Sequence, residues 1–67
     1  MSKYAAQIAS NLNQIEKLNM RVRAMNATMA KSEAAHLKAH LSVQIEVATM
    51  RINNLMFWVK QMMGATA

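Results

Sequence analysis

The chain of 67 residues has no cysteine, no proline and no aspartate, and its single glycine is Gly64. Without cysteine, the fold has no disulfide and no thiolate ligand for a metal ion. Without proline or an internal glycine, neither of the residue types that most strongly disfavour helix occurs before the C-terminal end. Strand patterns are also missing, because no run of Val, Ile or Thr alternates with polar residues. Since residues that favour helix dominate the composition, we expect an all-α fold.

The groups that enzymes use for catalysis are scarce as well. The sequence has no glycine-rich phosphate-binding loop and no nucleophile beside a base. A domain of 67 residues also has too small a core to enclose a deep substrate pocket. We therefore expect a non-enzymatic protein that uses no cofactor. Because small folds without disulfides or metals usually need extra stabilisation, oligomerisation is expected.

Apolar side chains recur every three or four residues in two separate stripes, which is the spacing of one face of an α-helix. The first stripe is Tyr4, Ile8, Leu12, Ile15, Leu18, Val22, Met25 and Met29. The second stripe is Leu37, Leu41, Ile45, Ala48, Ile52, Leu55, Val59 and Met62. A polar gap at Ala30–Glu33 separates them. The pattern predicts two helices that fold back as an antiparallel, coiled-coil-like hairpin.

This hairpin is expected to form one domain over residues 1–67. Its parts are helix 1 at about 3–30, a turn at about 31–33, helix 2 at about 33–63 and a frayed tail at 64–67. Ser2 and Ser32 are placed to cap the N-termini of the two helices, and Gly64 is placed to end the second.

A fold centred on residues 31–32 pairs stripe positions whose numbers sum to 63 or 64. The predicted core pairs are Tyr4 with Val59, Ile8 with Leu55, Leu12 with Ile52, Ile15 with Ala48, Leu18 with Ile45 and Val22 with Leu41. One unbroken helix is the alternative, because nothing in Ala30–Ala35 forbids helix. In that case the two stripes would lie about 80° apart around the helix, so the chain would change partner faces midway. The mismatch favours the hairpin.

Helix 2 carries apolar residues on a second face, opposite its main stripe. One partner helix cannot cover both faces, and a helix that is apolar nearly all round is a buried helix. The predicted interface is Val43, Val47, Met50, Met56, Phe57 and Trp58. We expect this face to contact either further copies of the chain, in a four-helix bundle or larger oligomer, or a helical protein partner.

Methionine is abundant, with eight residues in the chain. Because its side chain is flexible and polarizable, methionine suits surfaces that adapt to imperfectly matched partners, although it also fills ordinary cores. The sequence therefore predicts an assembly, adaptor or chaperone-like module.

Eight Lys and Arg residues oppose three acidic residues, which gives a formal net charge of +5. The basic set near the turn is Lys17, Arg21, Arg23, Lys31 and Lys38. A hairpin dimer that binds RNA or DNA through phosphates is one alternative function, although no aromatic residue lies near this set for base stacking. A cationic membrane-active peptide is the other.

The N-terminal sequence and the placement of charges bear on the compartment. The N-terminal residues lack the apolar core of a signal peptide, and this predicts a cytoplasmic or intracellular protein. Charged residues such as Glu46, Arg51 and Lys60 argue against a helix that spans a membrane.

Two further patterns have specific chemical interpretations. His36 and His40 are four residues apart, which places two potential metal ligands on one side of a helix. Two ligands make an incomplete site, so two exposed histidines near a turn are the simpler interpretation. Asn11, Asn19 and Asn26 lie on or beside the first stripe, where a buried asparagine sets the register of a helical pair.

Overall fold

The computed structural model describes residues 4–65 as two α-helices, α1 at Ala5–Lys31 and α2 at Ala35–Ala65. The two helices contact each other along their length, and the described residues contain no strand. The Cα atoms fill an envelope of 51 × 14 × 12 Å, whereas one continuous helix of these residues would be about 90 Å long. The predicted all-α hairpin is therefore confirmed, and the alternative of one unbroken helix is wrong.

Hydrogen bonds at Ser32 end the first helix. Its backbone is extended, with φ −88° and ψ 141°. Its N–H donates to the carbonyl oxygens of Thr28 at 3.0 Å and Met29 at 3.3 Å. These bonds satisfy carbonyl groups that a helix end leaves without a partner. Since no residue from 4 to 65 other than glycine has a positive φ, the turn forms without the glycine that such turns commonly use.

The second helix begins later than the sequence predicts. The N–H of Lys38 donates to the carbonyl oxygen of Ala34 at 3.0 Å, so Ala34 makes the first bond of α2. The Oγ of Ser32 accepts a hydrogen bond from the Ala34 N–H at 3.2 Å. Ser32 therefore stabilises the turn rather than capping α2, and Glu33 lies before the helix and not in its first turn.

At the other end, α2 runs through Gly64 to Ala65, so Gly64 does not end the helix as the sequence predicts. No described glycine has the positive φ of a helix-terminating residue. Ser2, predicted as a cap, and residues 66–67 of the predicted tail lie outside the described residues.

Gly64→Ala is expected to stabilise the protein by about 0.5–1 kcal/mol, because glycine within a helix costs conformational entropy that alanine does not. A Cβ at this position would meet no atom within 4 Å. Urea unfolding followed by circular dichroism measures the change. The opposite type of substitution at another exposed helical position, Ala39→Gly, should be destabilising. If Gly64 instead ended the helix with a positive φ, Gly64→Ala would destabilise.

The two helices face each other along a seam of alternating three- and four-residue steps. On α1 the seam is Ile8, Asn11, Ile15, Leu18, Val22 and Met25, and on α2 it is Leu41, Ile45, Ala48, Ile52, Leu55 and Val59. Leu18, Ala48, Ile52 and Val59 are its buried members. The first three form one cluster, against which Ile15, Val22, Met25 and Leu55 pack. The core is therefore thin and lies near the middle of the hairpin.

The register differs from the predicted one by two to three residues. The turn covers Ser32–Ala34 and is centred on residue 33, so facing positions sum to about 66 rather than 63 or 64. Leu18 accordingly clusters with Ala48 and Ile52, whereas the prediction paired it with Ile45. The difference arises because α1 continues to Lys31 and α2 begins only at Ala35.

Leu12 is the one predicted core residue that the structure exposes. Its side chain is 51% exposed, and Asn11 is partly buried instead. The steps from Ile8 to Asn11 and from Asn11 to Ile15 are three and four, which continue the alternation of a helical pair. Hydrophobicity favoured Leu12 in the prediction, but the alternation places Asn11 in the seam. The other predicted core residues, from Tyr4 to Val59, are buried or partly buried.

Candidate interaction surface

The exposed apolar surface of the hairpin lies mainly on α2. All six side chains of the predicted interface, from Val43 to Trp58, are between 48% and 65% exposed. Met50 is two residues from both Ala48 and Ile52, and is therefore about 160° around the helix from each of these buried residues. Met50 therefore faces away from α1, and no other segment of the described chain covers it.

Five residues on that side form a line, which we call the outer row. Its members are Val43, Val47, Met50, Asn54 and Phe57. Their steps of four and three residues repeat the alternation of the seam on the opposite side of the same helix. The structure exposes all five. One side of α2 therefore carries the seam, which packs against α1, and the opposite side carries a row of the same spacing that is exposed.

A groove of about 480 Å³ runs between the helices toward the open end of the hairpin. Its lining residues are Leu12, Ile15, Asn53, Met56, Phe57, Val59, Lys60 and Met63. Only Asn53 and Lys60 in this set are polar. Sequence reasoning missed Leu12 and Met63 as surface residues of one groove, because they come from opposite ends of the chain. The available signal was that Leu12 directly follows Asn11 of the seam, and that Met63 directly follows the partly buried Met62.

Phe57 and Trp58 extend the apolar surface around α2. Their ring centroids are 5.4 Å apart with an interplanar angle of 79°, an edge-to-face contact. Phe57 lines the groove, whereas Trp58 lines a separate shallow pocket that includes Tyr4, Gln7 and Met62. The two adjacent aromatic residues therefore connect the groove with the shallow pocket at the open end of the hairpin.

The structure does not bring the predicted basic set together as one patch. All five side chains are exposed, but Arg21 and Arg23 are two residues apart and so point about 160° away from each other. Arg21 lines a small pocket with Arg51, which the sequence reasoning left out of the set. Arg23 lines a different pocket that also contains Glu16. The positive charge is thus divided between two sides of the hairpin.

No family model, curated protein or solved structure matches this chain. Within residues 4–65, neither helix is long and apolar enough to cross a membrane. The exposed surfaces of the hairpin are therefore the features from which a function can be inferred.

His36 and His40 are exposed near the start of α2. In the part of the chain that the structure describes, no group of three or more His, Cys, Asp or Glu residues is placed to hold a metal ion. Of the three asparagines singled out on α1, Asn11 is partly buried in the seam, whereas Asn19 and Asn26 are exposed. Only Asn11 is thus placed to influence the register of the hairpin.

Proposed function

We propose that this chain is a small non-enzymatic interaction and assembly module, an adaptor, chaperone-like or structural subunit, that binds through the exposed apolar surface of α2. The observation that supports the proposal is the distribution of apolar side chains. Four apolar residues are buried among those described, whereas ten large apolar side chains are exposed. Eight of the ten belong to α2, so the surface is concentrated on one helix.

In the isolated hairpin, the exposed apolar side chains of α2 remain in contact with water and contribute little hydrophobic stabilisation. Burying the exposed half of a side chain such as Phe57 or Met50 is worth about 1 kcal/mol. Covering the six predicted interface residues would therefore contribute several kcal/mol, a large fraction of the stability of a small domain. A second copy or a helical protein partner supplies that cover.

The chemistry of the surface also suits a protein partner. Met50, Met56 and Met63 are all exposed, and thioether side chains repack easily against surfaces of different shape. Asn53 and Lys60 lie among the groove-lining apolar residues and provide polar groups at its edge. Apolar cores with polar rims are typical of protein interfaces.

Phe57→Lys is expected to lower the oligomeric mass or to abolish binding of a co-purifying partner, because it places a charge on the apolar surface. Stability should also become less dependent on protein concentration. Light scattering and thermal unfolding at several concentrations measure both effects. Lys17→Glu is the matched control, since it changes an exposed residue of α1 and should leave assembly intact.

The opposite pattern would contradict the proposal. If Phe57→Lys kept its mass, stability and partners while Lys17→Glu lost them, the basic surface of α1 would be the functional one. Salt-dependent retention on RNA or DNA would then identify a nucleic-acid-binding hairpin. Leakage of anionic liposomes by the wild-type protein, lost in Phe57→Lys, would instead identify a membrane-active peptide.

A further inference from the structure

We propose that a second copy of the chain covers the outer row, with the two α2 helices parallel and in register. This inference rests on the proposed function, because the outer row is part of the interaction surface of α2. Val43, Val47, Met50, Asn54 and Phe57 are exposed and follow the alternating spacing with which one helix packs against another. The row lies about 160° from the seam, so a second α2 can approach without contacting α1.

Asn54 distinguishes between the two possible directions of the second helix. In a parallel, in-register pair, equal positions meet, so the two Asn54 amides face each other and each can donate and accept a hydrogen bond. In an antiparallel pair centred on Met50, Val43 meets Phe57 and Asn54 meets Val47. The amide would then be buried against methyl groups, at a cost of about 1–3 kcal/mol. An asparagine pair at one position of an apolar seam instead specifies register and a two-stranded state.

The charges beside the row favour the same direction. Glu46 directly precedes Val47, and Arg51 directly follows Met50, so the two charges flank the row on opposite sides. Their separation of five residues is the spacing at which flanking charges of parallel helices meet across an interface. Each Glu46 therefore meets Arg51 of the other copy, twice by symmetry. An antiparallel pair would place the two Arg51 side chains close together, which is repulsive.

The resulting assembly differs from a closed four-helix bundle. Because the outer row and the seam lie on nearly opposite sides of α2, the four helices would form a flat array in the order α1, α2, α2, α1. The contact is isologous and uses the same surface of both copies, so it closes at two chains. The groove lined by Leu12 and Met56 shares Phe57 with the outer row, so the second copy borders the groove.

Cysteine cross-linking tests the direction, since the wild-type chain contains no cysteine. A parallel pair places the two copies of residue 43 in contact, so Val43→Cys should form a disulfide-linked dimer under mild oxidation. The control is Ala27→Cys on an exposed position of α1. Cross-linking of Val43→Cys should be about 100-fold faster, because docking raises the local thiol concentration far above the bulk value.

Charge exchange tests the register with the surface otherwise intact. Glu46→Arg and Arg51→Glu should each weaken the dimer roughly tenfold in a sedimentation experiment, because each replaces two attractive contacts with two repulsive ones. The double variant should regain the wild-type affinity. Both positions are exposed in the hairpin, and circular dichroism verifies that each variant is folded.

Two results would overturn the inference. A disulfide that forms only in a mixture of Val43→Cys with Phe57→Cys would show an antiparallel pair. Equal cross-linking of Val43→Cys and Ala27→Cys, with a monomeric mass for the wild type, would show that no second copy occupies the outer row. In the second case the proposed function is judged separately, by whether Phe57→Lys loses a different protein partner.

Discussion

Leu18→Ala is expected to lower the free energy of unfolding by about 2–5 kcal/mol, the cost of removing a buried leucine side chain and leaving a cavity. Leu18 is buried in the cluster with Ala48 and Ile52, and only partly buried side chains pack against that cluster among the described residues. For a domain this small, such a loss approaches the total stability. Urea unfolding followed by circular dichroism at room temperature should show that much of the variant is already unfolded at low urea concentration.

Leu12→Ala is the control for this experiment, because it makes the same chemical change on the same helix. Leu12 lies outside the seam, so the expected loss is below about 1 kcal/mol in the isolated hairpin. Double variants test the register: Leu18→Ala should couple more strongly to Ile52→Ala than to Ile45→Ala. Stronger coupling to Ile45 would mean that the helices pair about residues 31–32 after all.

Asn11→Leu is expected to raise the free energy of unfolding by about 1–3 kcal/mol, because it removes a polar amide from a partly buried seam position. Asn11 takes the position at which the alternation of the α1 seam calls for an apolar residue. The same unfolding experiment measures the gain. Asn13→Leu is the matched control, since Asn13 is exposed on the same helix and should change stability only slightly.

Loss of stability in Asn11→Leu would show that the amide makes a contact worth more than an apolar side chain. Unchanged stability combined with a mixed oligomeric state would show a different role. In that case Asn11 would act on specificity, as polar residues do at single positions of paired helices.

The helices and their facing sides were predictable because periodicity is a local property of the sequence. The steps between Ile15, Leu18 and Val22 are enough to place these residues on one side of α1. The turn was less predictable, since Ala30–Ala35 contains neither glycine nor proline to mark a boundary. Its position depends on hydrogen bonds of Ser32 and Ala34, and an error of one or two residues there shifts every pair along the seam.

The candidate surface was predictable where one helix supplies all of it. Val43, Met50 and Phe57 repeat every seven residues, and an apolar row without a partner stripe in the same chain has to face outward. The groove was not predictable in this way, because Leu12 and Met63 meet only through the register of the hairpin. The predicted basic set does not form one patch for a related reason. Residues that are close in sequence, such as Arg21 and Arg23, can lie on opposite sides of a helix.

The turn at Ser32–Ala34 bears on whether α1 packs against α2 of the same chain or against α2 of a second chain. Since no residue there has a positive φ, these residues can also adopt an extended conformation that leads α2 away from α1 of the same chain. Two chains that opened at this point and exchanged their α2 helices would make the same seam contacts as two closed hairpins. The closed form is favoured because a short turn holds α2 near α1 at an effective concentration in the millimolar range. The preference for the hairpin over the exchanged pair is therefore entropic in origin and weakens as the protein becomes more concentrated.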